Sequence, residues 1–124
     1  MHTKKTVNKK NVEIKNKMFW AKIFTTKQDF VVVVCDENIL EKELKFKYHV
    51  KKEAIKIKLS KNFYGEMLID ENIVIKLLQK ASIGNLMGVR TVELAENNGF
   101  IIRENIIVID GVPHAQFIKI SKVR

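Results

Sequence analysis

Residues 110–116, Asp-Gly-Val-Pro-His-Ala-Gln, place one of the chain's three histidines directly behind its only proline. Pro113 holds the following backbone extended, so the His114 ring can project from a rigid loop toward a substrate or a phosphate. Asp110 and Gln116 stand near enough along the chain to orient it. The same residues also read as a tight turn, with Gly111 or Pro113 setting the bend and the histidine bonded to nearby backbone. Cys35, the single cysteine, would pair with His114 as nucleophile and base if the turn folded over the end of its strand. The alternative is a small core residue. His2, His49, His114 and Cys35 lack close ligand spacing, so no metal is expected. "GNLMG" at 84–88 is neither a phosphate loop nor a dinucleotide fingerprint, so no cofactor is expected either.

A second group has a different chemistry. In "KNFYGE", Lys61, Asn62, Phe63, Tyr64 and Gly65 form a loop in which an aromatic ring can stack on an unpaired base while a lysine meets its phosphate. One ring plugging the core and the other rimming it is the competing reading. Lys45, Lys47, Lys56 and Lys58 alternate with apolar residues and so face outward together. Asn85 can cap a following helix or offer its amide to a base edge.

These residues sit in a chain of 124 residues, enough for one sizeable core. Its 46% hydrophobic and 30% charged residues make a globular balance. The net charge of +9 is uneven: residues 1–17, 42–61 and 119–124 are basic, while 18–41 and 62–118 are net acidic. Residues 1–17 show no periodicity and read as a flexible basic arm, leaving 18–124 as the domain. The apolar stretch behind those lysines is broken at Lys22 and Lys27, which disfavours a secretory signal and favours the cytoplasm. "FVVVVC" is far shorter than the roughly 20 residues of a membrane helix, so no membrane partner is expected. A lone cysteine fits a reducing compartment.

The expected fold is α+β: a single compact domain with a mostly antiparallel or mixed sheet built from β-hairpins, and two consecutive helices packed on it. Ala21–Thr25 and Phe30–Cys35 form a hairpin around "TKQD", and the valine run predicts a strand covered on both faces. Asp36 predicts a short helix over 36–44. Residues 45–59 predict two half-buried strands whose apolar positions are Phe46, Tyr48, Val50, Ile55, Ile57 and Leu59. Asp70 caps a helix to about Ala81 with Ile73, Val74, Leu77, Leu78 and Ala81 inward. "SIGNLMG" interrupts it, and a second helix from Leu86 or Val89 to Asn97 ends at Gly99. Two helices around a glycine-containing turn also suggest a DNA-reading helix-turn-helix, although Arg90, Glu93, Glu96 and Asn97 make a poor phosphate surface. "NIIVI" and "AQFIKI" complete the strands.

In combination, "VVVCDENIL", "NFYGE", "ASIGNLMG", "VELAENNG" and "GVPHAQ" resemble the archaeal family called domain of unknown function 424, from about Ala21 to Ile120. The resemblance implies a compact α+β domain, an archaeal origin and an association with translation genes, with no activity to carry over. Such chains begin near Met18, so either the arm is an addition or translation starts at Met18. Three function classes remain. A module for RNA or ribonucleoprotein explains the basic segments and the aromatic loop together, and single strands are preferred over duplex DNA for want of a reading helix. A small enzyme would centre on "GVPHAQ" and "NFYGE", though no complete acid–base or nucleophilic constellation is visible. A protein-interaction subunit would need an exposed apolar patch or a free strand edge. Oligomeric state is not encoded in any of these patterns.

Overall fold

The valine run is the centre of the molecule. In the computed structural model, which describes residues 18–46 and 55–120, Val32, Val33, Val34 and Cys35 are all 0% exposed. Alternation sends Val32 and Val34 to one side of β2 (Phe30–Asp36) and Val33 and Cys35 to the other, so both faces must be covered. β1 (Phe19–Thr25) pairs with β2 antiparallel, as expected for the hairpin. Thr26 closes their turn by accepting from the Gln28 and Asp29 amides through its hydroxyl.

Residues 36–44 do not form the expected helix. Only Glu37–Ile39 makes a single 3₁₀ turn, and β3 (Glu43–Phe46) follows. Asp36 supplies no cap to that turn, because its carboxylate is used elsewhere. β3 pairs antiparallel with β4 (Ile55–Lys58) as a separate two-stranded sheet. Lys47, Tyr48, His49, Val50 and Lys51, the basic arm 1–17 and the C-terminal residues 121–124 lie outside the described residues.

"KNFYGE" is a short helix rather than a loop. α1 (Lys61–Tyr64) is capped by Ser60, whose hydroxyl accepts from the Phe63 amide, and Gly65 ends it. β5 (Met67–Ile69) adds to β1, and α2 (Glu71–Lys80) begins where the Asp70 carboxylate accepts from the Ile73 amide. Val74, Leu78 and Ala81 form its buried stripe as expected, but Ile73 is 44% exposed.

Between the two main helices lies the largest departure from expectation. "IGNLM" is β6 (Ile83–Met87), a strand parallel to β2, so the helices are not consecutive and no helix-turn-helix exists among the described residues. Two glycines explain the segment. Gly84 leaves room for the Phe117 ring, which an added Cβ would strike. Gly88, at φ +115°, receives the Asp36 carboxylate against its Cα. α3 (Val89–Asn97) follows, and Gly99 at φ +79° leaves it in the left-handed conformation expected of a helix end. Asp36, 4% exposed, accepts from the Arg90 amide at 3.0 Å, the Thr91 amide at 2.7 Å and the Thr91 hydroxyl at 2.7 Å. A residue more than fifty positions upstream thus caps α3, and Asn85, mid-strand in β6, does not.

β7 (Ile107–Ile109) and β8 (Val112–Ile118) pair antiparallel, with Asp110 at φ 51° and Gly111 at φ 78° as the two turn residues. Asp-Gly alone is the turn. Pro113 lies in β8 opposite Val108, and most of "GVPHAQ" is strand.

The result is a six-stranded mixed sheet, ordered β5-β1-β2-β6-β8-β7, with α2 and α3 on one face and the β3–β4 hairpin and α1 on the other. Among the described residues, no helix is long and apolar enough to cross a membrane. If Gly84 is a strand position covered by Phe117, Gly84→Ala lowers stability by about 1–3 kcal/mol through overpacking. Thermal denaturation of Gly84→Ala, Phe117→Leu and the double variant then shows coupling, the double variant losing less than the two singles combined.

Candidate functional site

The register of the central strands fixes what shares a face, since directly paired residues project to the same side of a sheet. On the face away from α2 and α3, three rows cross it. The first is Trp20, Cys35, Met87, His114 and Ile107. The second is Lys22, Val33, Asn85 and Gln116, and the third is Phe24, Val31, Ile83 and Ile118. The candidates from "NFYGE", "SIGNLMG" and "GVPHAQ" therefore meet, because α1 lies over the same face. Tyr64 is buried, and its hydroxyl donates to Asn85 Oδ1 at 3.0 Å. Gln116, exposed, stands directly across from Asn85.

The first row rules out the cysteine–histidine pair. Met87 sits between Cys35 and His114, so two strand spacings, about 10 Å, separate them. Cys35 is fully buried and its thiol donates to the Asp36 carbonyl at 3.3 Å. Burial, with the Asp36 charge adding to it, pushes the thiol up to about 12, so no thiolate forms near neutrality. Burial likewise raises the Tyr64 hydroxyl, with a contribution from Cys35, and Tyr64 remains a donor.

His114 is half-buried, and its Nδ1 lies 2.8 Å from the Leu86 carbonyl. A carbonyl only accepts, so Nδ1 carries the hydrogen and Nε2 is the basic nitrogen of the neutral ring. Neither expected orienting residue acts: Asp110 Oδ2 instead accepts from the Lys45 amide at 3.0 Å. Gln116 sits two positions along β8, on the Asn85 row. Desolvation lowers the His114 pKa below 6.5, and the Leu86 hydrogen bond only partly offsets it.

The lysines divide. Leu44, Phe46 and Ile57 turn inward from the β3–β4 hairpin, so Lys45 and Lys56, directly opposite each other, turn outward. Both are exposed. Lys58 is drawn to Glu41, 3.7 Å away, and also faces Glu43 across the hairpin. Lys61 is exposed at the start of α1, its backbone amide held by Glu41. Lys47 lies outside the described residues. Phe63 is 41% exposed and rests on Phe24, with ring centroids 5.4 Å apart, and edge-on to Tyr64 at 4.9 Å. Tyr64 therefore plugs the core and Phe63 rims it, as the competing reading had it. Lys22 Nζ lies 5.0 Å over the Phe24 ring and donates to the Asn62 carbonyl at 2.6 Å. Lys22 was not legible as a site residue, because only the β1–α1 packing brings it there. Gly65 and Gly111 serve the backbone, and the Pro113 carbonyl accepts from the Gly88 amide at 2.8 Å.

The family model described as protein of unknown function (DUF424) matches residues 24–120. A crystal structure of an uncharacterized conserved protein from Methanopyrus kandleri shares the fold at TM-score 0.68 and 20% identity, covering 86% of this chain and 97% of that one. Among curated proteins, none matches.

His114 gives a pH signature. Its folded pKa is lowered, so the unfolded chain takes up the proton first as pH falls; stability is full above about 6.5 and declines below it, down to the folded pKa. NMR titration of the ring should give a midpoint below 6.5, and His114→Gln should flatten the stability profile over that window.

Proposed function

We propose that this chain, which belongs to the family described as protein of unknown function (DUF424), binds unpaired RNA on the sheet face opposite its helices. The observation that carries the reading is the placement of Lys45 directly opposite Lys56 on the solvent side of the β3–β4 hairpin. Like charges at a cross-strand pair are unfavourable by themselves, and an anion between them reverses the sign. The same side of the molecule offers Lys61 at the head of α1 and the exposed ring of Phe63, the combination that meets a phosphate and stacks a base.

The helix side is less suited to the task. A cleft of about 240 Å³ there is rimmed by Glu71 and Glu93, and the Arg90 guanidinium lies 4.9 Å over the Phe19 ring. The amino end of α3 is already filled by the Asp36 carboxylate. With β6 separating α2 from α3, no recognition helix is available among the described residues for a duplex groove. A cytoplasmic, translation-associated role with RNA or ribonucleoprotein as partner belongs to the same reading. It draws on the lone, free Cys35 and on the basic surface.

Lysines and aromatics act through separable physics. Replacing Lys45 and Lys56 by glutamine should reduce the slope of log affinity against log salt by about 1.4 for single-stranded RNA, about 0.7 for each phosphate that a lysine no longer neutralises. Phe63→Ala should weaken binding roughly 5- to 150-fold with the slope kept, since stacking is worth about 1–3 kcal/mol per base. Circular dichroism on each variant checks the fold. Absence of RNA binding by the wild-type protein at about 0.1 M salt would remove the reading.

A further inference from the structure

We infer that two copies of this chain associate through β7, pairing antiparallel about a two-fold axis at Val108. The main sheet ends at β7, and β8 is its one neighbour among the described residues. Val108 stands opposite Pro113, which has no N–H and whose carbonyl accepts from the Gly88 amide on the β6 side of β8. Val108 and Pro113 therefore exchange no hydrogen bond, and both the N–H and the C=O of Val108 point away from β8 into the open edge. The side chains there are exposed as well, Ile107 by 50% on the hairpin-side face and Val108 by 62% on the other.

Exposed strand edges are normally guarded by a charge, a proline or a bulge. Ile106, Ile107, Val108 and Ile109 supply none of these, in a chain of net charge +9. From Gly99 to Ile118 the charged residues are Arg103, Glu104 and Asp110, a net of −1 with His114 neutral, so two strongly basic molecules can meet here without opposing positive charge. The opposite edge is unsuited: self-pairing of β5 about Leu68 would set Glu66 against the second copy's Asp70.

An antiparallel pair about Val108 is self-complementary. The two Val108 residues exchange N–H and C=O as one hydrogen-bonded pair, and Ile107 of each copy lies beside Ile109 of the other on the hairpin-side face. Asp110 falls opposite Ile106, so no like charges face each other. The ladder stops there, because the Ile106 amide already donates to the Arg103 carbonyl. So short a ladder gives a weak, concentration-dependent dimer. Its axis stands perpendicular to the sheet, joining two six-stranded sheets with both hairpin-side faces on the same side.

Sedimentation velocity of the full chain over about 5–500 µM tests the pairing. The wild-type protein should pass from monomer to dimer with a Kd on the order of 10–100 µM. Val108→Lys and Val108→Glu each place like charges at the axis and should remain monomeric throughout, with melting temperatures close to that of the wild type, since the backbone of residue 108 makes no bond to β8. An equimolar mixture of the two variants should recover the dimer, because lysine then faces glutamate. That recovery requires position 108 to meet itself. A wild-type protein that stays monomeric at the highest concentration, a Val108→Lys variant that dimerises like the wild type, or a mixture that stays monomeric overturns the β7 dimer.

Discussion

Complete enclosure of β2 is the constraint from which the rest of the architecture follows. A strand with Val32 and Val34 on one side and Val33 and Cys35 on the other, all fully buried, is stable only with a layer on each face. The two longer helices supply one layer, with Val74, Leu78, Val92 and Ala95. The other is made of small pieces: a two-stranded hairpin, one 3₁₀ turn and the single turn of α1. Those pieces place Leu44, Leu59 and Tyr64 over Val33 and Cys35, but leave Ile83, Asn85, Gln116 and Ile118 beyond them only partly covered or exposed. The candidate surface is what a covering layer of limited extent leaves open.

Two interactions lock this arrangement. Asp36 ends β2 and holds the start of α3 with three hydrogen bonds, so the strand enclosed on both faces is tied to a helix across the parallel β2–β6 pair. That carboxylate fits because position 88 is glycine. On the same helix side, Gly84 accepts the ring of Phe117, which stacks against Phe100 at 5.9 Å and joins β8 to the segment after α3. A buried carboxylate compensated by two amides and a hydroxyl is stable because each of its strongest acceptor sites has a donor.

Local pattern was a good guide wherever the cause of structure is local. The β1–β2 hairpin, the Asp70-capped α2, Gly99 beyond α3, and the alternation of β4 all follow from period, caps and turn chemistry, while β3 begins at Glu43, inside the stretch expected to be helical. It failed at 83–87, where glycine and asparagine interrupt the apolar period of a central strand, since both exist for partners far along the chain, Phe117 and Tyr64. Asp36 failed for the same reason: its position suggested a cap for the next residues, whereas its acceptors serve residues 90 and 91. Of the candidate site, the residue types were legible and their assembly was not. Nothing local places Asn85 beside Gln116 or Met87 between Cys35 and His114, because both are consequences of strand register. The lysine alternation was read correctly for Lys45 and Lys56, but the approach of Glu41 to Lys58 depends on the turn before β3.

The proposed site for single-stranded RNA is the open half of the hairpin-side sheet face. Backbone amide shifts followed by NMR while an eight-nucleotide RNA is titrated into the labelled protein test it most directly. The account predicts that perturbations gather on β3, β4, α1 and the β6–β8 residues Asn85 and Gln116, leaving the outer faces of α2 and α3 unchanged. Perturbations centred on α2 and α3, or none at saturating RNA, would contradict it.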